Sequence, residues 1–189
     1  AVDLYDPEAT RAAVDEAYRR LNGLNGLVCN AGVTLSKPFP DTALEDWHWA
    51  MNGNATSVYL TCHAALNYLR RNDRATIVNI GSAAAVQPLR GRAAYAASKA
   101  AVHAFTKVLA MELSPRIRCN VISPGAIDTP FVRNTFRDPD SIKRIEAMYA
   151  LQRMGEPEEV ARAALFLTSY ESSFVTGTTM TVDGGRTYL

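Results

Sequence analysis

Short apolar runs of strand length alternate with long helical stretches in this chain, and that alternation leaves it few folds. Ala75-Thr-Ile-Val-Asn-Ile80 reads as a strand, a helix follows from about Arg92 to Leu113, and Ile117 to Ile122 is strand again. Two neighbouring parallel strands need such a crossover, so the pattern is that of βαβ units in a parallel sheet. Leu27 to Asn30 and Met180-Thr-Val182 add two more strands. The nearly unbroken apolar character of Leu27 to Cys29 suits a sheet covered on both faces. The expected fold is therefore α/β, a Rossmann-like doubly wound parallel sheet with helices on both faces. No repeat or linker interrupts it, which points to one domain over residues 1–189.

Local signals place the helices. Asp6 caps and Pro7 opens a helix to Leu21, whose Ala13, Val14, Ala17 and Leu21 share one stripe. Thr42-Ala-Leu-Glu45 has the form of a capping box and opens a helix predicted to reach about Arg71. Met51-Asn-Gly-Asn54 disrupts that helix, because Asn and Gly are poor interior residues, and a kink that carries a polar group or a water to a site would account for it. Asp138 to Ala150 is a charged, partly helical insertion, and Glu156 to Thr168 is a helix with Pro157 in its first turn.

Composition removes several classes of function. Twenty basic residues against 19 acidic ones, with no basic run, argue against nucleic acid or an anionic membrane as partner. No stretch is long and apolar enough to span a bilayer, and no signal-peptide layout opens the chain. Cys29, Cys62 and Cys119 show neither paired spacing nor a CxxC, so they read as reduced, buried thiols of a cytoplasmic protein. No metal site is expected, and His48, His63 and His103 read as incidental surface or packing residues.

Ligands of such sheets bind beyond the carboxyl ends of the strands. Asn30-Ala31-Gly32, Gly81-Ser82 and Pro124-Gly125 lie at those ends. Tyr95 and Lys99, four residues apart on one helix, face the same way. An ammonium about 4 Å from a phenol interacts by about 4 kcal/mol at an effective dielectric of 20, enough to draw the phenol into the working range of a general acid/base. Ser82, thirteen residues before Tyr95, offers a hydroxyl that can bind a substrate oxygen. No G-x-S-x-G surrounds it, so a serine hydrolase is not supported.

With these residues in order, the chain resembles the short-chain dehydrogenase/reductase family over nearly its whole length. Asp3, Asn30-Ala31-Gly32, Asn54, Ser82, Tyr95-Ala-Ala-Ser-Lys99, Pro124-Gly125, Thr129, Arg153-Met-Gly155 and Val182-Asp-Gly-Gly185 carry the resemblance. It implies an NAD- or NADP-dependent oxidoreductase that interconverts an alcohol and a ketone or aldehyde. In it Ser82 would hold the substrate oxygen, Tyr95 would pass the proton, Lys99 would lower the Tyr95 pKa and bind the nicotinamide ribose, and Asn54 would hold a water leading from Lys99. Asp3 would touch the adenine, and Asn30, Ala31 and Gly32 would line the cofactor. Pro124, Gly125, Ile127 and Thr129 would hold the carboxamide side. The substrate would be a small alcohol or carbonyl compound, and the assembly a homodimer or homotetramer.

The family's Gly-rich dinucleotide loop has no counterpart here, for no G-x-G-x-x-G occurs. Ala1-Val-Asp3 resembles the end of the family's third strand, so an N-terminal βαβ portion is expected to be missing, leaving a gap in the sheet and an exposed apolar edge. The competing expectation is a truncated or degenerate subunit with a structural, oligomerising role. Phe131 to Met154 is expected to form a substrate-binding lid. Its Arg133, Arg137, Lys143 and Arg144 read first as a solvated helix face and second as a preference for anionic substrates.

Overall fold

The computed structural model describes residues 2–136 and 138–188, so Arg137 of the expected lid lies outside the described residues. Within them the order is α1 (Pro7–Leu21), β1 (Gly26–Cys29), α2 (Leu44–Met51), a π-helical turn (Asn52–Thr56), α3 (Ser57–Leu69), β2 (Ala75–Ile80), α4 (Ala93–Leu113), β3 (Ile117–Pro124), α5 (Pro130–Arg133), α6 (Pro139–Glu146), α7 (Pro157–Thr168) and β4 (Thr179–Val182). The four strands pair in the order β1-β2-β3-β4, all parallel. This is the doubly wound sheet the alternation requires.

Side chains of successive strand residues separate onto opposite faces, and so do the two cores. Ile77 on β2 and Ile117 and Cys119 on β3 pack with Val58, Cys62, Leu69 and Val102 of α3 and α4. Val78 and Ile122 take the other face, against Leu167 of α7. Leu69, Ile77, Ile117, Ile122 and Leu167 are wholly buried, and each such side chain stabilises by about 1.5–3 kcal/mol relative to exposure. Arg118 ties α7 down: its guanidinium donates to the carbonyls of Leu167 (3.0 Å), Ser169 (3.0 Å) and Val175 (2.9 Å), satisfying acceptors that a helix end leaves open. The three cysteines are buried free thiols, with Cys29 and Cys62 sulfurs 3.9 Å apart. Among the described residues no helix is long and apolar enough to cross a membrane.

Several expectations change in detail. The helix at residue 44 is capped by Asp46, which accepts from the Ala43 N–H at 2.9 Å, while Thr42 donates to the Pro38 carbonyl. The predicted helix to Arg71 is two helices joined by the π-turn, so the polar cluster does interrupt it. β3 runs on to Pro124 because β4 pairs with it to its end, and the Gly125 N–H continues the ladder to the Val182 carbonyl at 3.0 Å. Val2 and Asp3 form no strand. The Asp3 carboxylate accepts from the Tyr5 N–H at 3.2 Å, and its carbonyl accepts from Asp6, a turn that leads straight into α1. Among the described residues the four strands are contiguous and no gap opens between them, while β1 forms the expected edge, with Val28 half-exposed on it.

Candidate active site

The π-turn fixes the floor of the site. One extra residue in a helical turn bulges the backbone and re-aims its side chains. Here the bulge turns Asn54 inward, wholly buried. A β-carbon on the adjacent Gly53 would lie 2.5 Å from Val33, so only glycine lets the bulge and the β1 loop meet. The Asn54 amide clamps that loop, accepting from the Val33 N–H at 2.9 Å and donating to the Val33 carbonyl at 3.1 Å. It also donates to the Ser98 hydroxyl at 2.9 Å, and Ser98 in turn donates to the Tyr95 carbonyl at 2.7 Å. Both amide protons are thus occupied, and only a lone pair on Oδ1 is left for a water.

Lys99 follows Tyr95 by one turn of α4 and is 5% exposed. Its ammonium donates to the Ile80 carbonyl at 3.0 Å, and burial lowers its pKa to about 8. Gly32 makes room above it, since a β-carbon there would meet Asn54 Oδ1 at 2.7 Å and Lys99 Nζ at 3.3 Å.

Ser82 leaves β2 extended and caps a short turn, its hydroxyl accepting from the Ala84 N–H at 3.1 Å. Its own N–H donates to His103 Nε2 at 3.4 Å. His103 lies two turns past Tyr95 on α4, and burial, with the charges of Lys107 and Lys99, holds its pKa down to about 4. It is therefore a neutral acceptor above that pH. A β-carbon on Gly81 would lie 2.1 Å from Nε2, which explains why glycine precedes Ser82.

Burial pushes the Tyr95 phenol up, against the Ser82 hydroxyl and the Arg92 charge, which pull it down. Sequence reasoning assigned that pull to Lys99. In the structure the Lys99 ammonium is turned to the Ile80 carbonyl, and the cation stacked on the phenol is Arg92, its Cζ 5.6 Å from the ring centroid.

On the far wall, Ile127 bridges to Gly155, and the Ala126 N–H donates to the Tyr149 hydroxyl at 2.7 Å. Thr129 donates to the Ile127 carbonyl at 3.2 Å and caps α5. The Asp183 carboxylate accepts from Gly185 and Thr187 N–H groups, so the Val182-Asp-Gly-Gly185 motif builds a turn. Arg153 pairs with Glu159, which itself caps α7.

These walls enclose a cavity of about 740 Å³ beyond the carboxyl ends of β1, β2 and β3. Asn30, Ala31, Gly32, Ser82, Tyr95, Lys99, Pro124, Gly125, Ile127 and Thr129 all line it. Asn54 lies beneath the lining, and Asp3 stands apart in its turn. Sequence reasoning missed Arg92 and read His103 as incidental, while Tyr149, expected in the lid, does line the cavity. Arg92 and His103 were within reach of that reasoning, Arg92 at the cap of α4 three residues before Tyr95 and His103 eight residues after Tyr95 on that helix. Among the described residues no three His, Cys, Asp or Glu side chains cluster as metal ligands would.

A family model described as enoyl-(acyl carrier protein) reductase matches residues 1–187. The 3beta-hydroxysteroid dehydrogenase 1 of Eggerthella lenta is 38% identical over 187 residues, 98% of this chain and 72% of that protein. The aldohexose dehydrogenase of Thermoplasma acidophilum superposes with a TM-score of 0.95 at 33% identity, over 99% of this chain and 77% of that one. A blue fluorescent protein from a metagenomic library, solved in complex with NADPH, gives a TM-score of 0.90 at 34% identity, over 98% and 74%. The matched span, the parallel sheet and the helix carrying Tyr95 and Lys99 agree, and the chain belongs to the short-chain dehydrogenase/reductase family of NAD(P)-dependent oxidoreductases.

Proposed function

We propose that the protein interconverts an alcohol and a ketone or aldehyde, with Ser82, Tyr95 and Lys99 as its catalytic residues and Asn54 as the support beneath them. The observation that carries this reading is the convergence of the first three side chains on one cavity at the strand ends. The residues present fit a nicotinamide nucleotide, NAD or NADP: the buried Lys99 ammonium uses one of its three protons on Ile80 and keeps the others for ligand hydroxyls. Asn30, Ala31 and Gly32 would border its ribose, and Pro124, Gly125, Ile127 and Thr129 its carboxamide. When bound, the nicotinamide ring supplies or accepts the hydride.

Each of the chain's own groups has a derivable task. The Ala84 N–H occupies one lone pair of Ser82, and its hydroxyl proton, which faces the Tyr95 phenol, can turn to a substrate oxygen that enters beside it. Tyr95, kept protonated by burial, gives its proton to that oxygen in reduction and takes one back in oxidation. Asn54 holds the Val33 loop and α4 in register. The described residues of 131–154 form the lid over the substrate, Phe131, Phe136, Met148 and Tyr149 of them lining the cavity. The protein acts in the cytoplasm as a single-domain protomer of a homodimer or homotetramer. A shallow groove lined by Tyr59 of α3 and Val102 and Phe105 of α4 supports pairing through those helices.

The test is to follow reduced-nicotinamide absorbance with a panel of alcohols and ketones, for the wild type and Tyr95→Phe. Loss of a positioned general acid lowers turnover by about 10²–10⁴. The phenylalanine variant should keep the wild-type melting temperature, and full activity in it would overturn the proposal.

A further inference from the structure

We propose that Arg92 is an anion anchor and that the substrate is an oxoacid or hydroxyacid, its carboxylate bound to the Arg92 guanidinium while its carbonyl or hydroxyl meets Ser82 and Tyr95. This deepens the function proposed above and rests on it for the reacting end of the molecule.

The cavity is electrostatically one-sided. Arg92, Lys99 and Arg186 line it, and among the described residues no Asp or Glu does. Three arginines of residues 131–154 have acidic partners. Arg133 makes two bonds to Asp128, Arg144 lies 3.8 Å from Asp138, and Arg153 makes two bonds to Glu159. These three arginines are thus turned to their own acids on an exposed surface, as a solvated face requires.

Arg92 differs. Among the described residues it has no carboxylate partner, and its hydrogen bond goes to the Thr34 hydroxyl. A guanidinium carries five N–H donors in a planar fork that fits a carboxylate with two parallel bonds. The fork is held between rings, with Cζ 5.6 Å from the Tyr95 centroid and 5.5 Å from that of Phe136. It is half-buried, and burial holds its pKa below the ordinary arginine range, so its charge is incompletely solvated. A cation left in that state lowers the free energy of whatever anion reaches it. Its place at the N-cap of α4, three residues before Tyr95 and with its guanidinium over the Tyr95 ring, sets the anion a few bonds from the reacting carbon, the reach of a short-chain acid.

Matched acid and ester pairs test this. Titration calorimetry of the purified protein with levulinate and methyl levulinate, and with acetoacetate and methyl acetoacetate, reads the anion preference without turnover. For at least one pair the acid should bind about 30-fold more tightly than its ester, equal to about 2 kcal/mol. Arg92→Gln should bring that ratio near one, and Arg92→Lys should keep part of it. Taking the ratio within each variant cancels any effect of Arg92 on Tyr95. Equal binding of acid and ester in both pairs, no binding of either acid at millimolar concentration, or an acid preference that survives Arg92→Gln overturns the proposal. An acid preference lost in Arg92→Gln, in a protein that turns over none of the four compounds, supports the anion site and counts against the redox reading instead.

Discussion

Replacing Lys99 by Met should make the protein more stable at neutral pH while abolishing activity. The Lys99 pKa falls from 10.5 to about 8 because its ammonium is buried with one carbonyl acceptor. At 1.36 kcal/mol per pKa unit, that fall makes the charged side chain about 3 kcal/mol less stable in the fold than in water. Met has a similar unbranched shape, fills the same channel and carries no charge. It leaves the Ile80 carbonyl without its donor, which costs about 1 kcal/mol. The net gain is about 2 kcal/mol, or a melting temperature higher by about 4–8 °C in a chain of this length.

The sign of the pH dependence follows from linkage. Between about 8 and 10.5 the unfolded chain holds a proton on Lys99 that the folded chain has released, so wild-type stability rises with pH across that window. The advantage of Lys99→Met is therefore full below pH 8, and by 10.5 it has reversed to a deficit of about 1 kcal/mol, the cost of the lost donor alone. Urea unfolding followed by circular dichroism, for both proteins at several pH values, measures it, and groups common to both cancel in the difference. A methionine variant no more stable than wild type at neutral pH, or an advantage unchanged up to the highest pH, would refute the assignment of a buried, incompletely compensated charge.

His103 is depressed from 6.5 to about 4, so wild-type stability should fall by up to about 3 kcal/mol as pH drops through that interval. In His103→Leu that acid-dependent loss should disappear from the urea midpoint. The same variant strips the Ser82 N–H of its acceptor and should lower kcat about tenfold with little change in KM. Arg118→Met should destabilise by about 3 kcal/mol, because three carbonyls at the end of α7 and the approach to β4 lose a charged donor. Chemical denaturation checks it.

What the sequence revealed follows from which interactions are local. β2 lies where its apolar run says, and α1 begins at Pro7 because Asp6 and Pro7 act within one turn. The cap at residue 43 was not legible in the same way. Thr42-x-x-Glu45 and Ala43-x-x-Asp46 overlap, and the choice is made by Lys37, distant in sequence, whose ammonium pairs with Asp46 and holds that carboxyl below its usual range. That Ser82, Tyr95 and Lys99 reach one cavity was legible from spacing, because these members of the site lie at a strand end or on one helix face. The partners of those members were not. Gly81 yields its β-carbon space to His103, and Gly53 yields its own to Val33, contacts that only the folded chain brings together.

The site's charges share one logic. His103 is held neutral, Lys99 is brought near pH 8, and the Tyr95 phenol is pushed up, each first by burial. In a cavity that, among the described residues, cations line and acids do not, an entering carboxylate is the complementary charge. Seated on Arg92, it would offset the positive charge that draws the phenol down. Tyr95 would then hold its proton more firmly as the substrate arrives and surrender it when negative charge develops on the oxygen beside Ser82. The same anion would stabilise the Lys99 ammonium and reduce the stability deficit that this buried cation imposes on the protein alone. A cluster of charges that weakens the fold thereby becomes the source of affinity for the ligand that balances it.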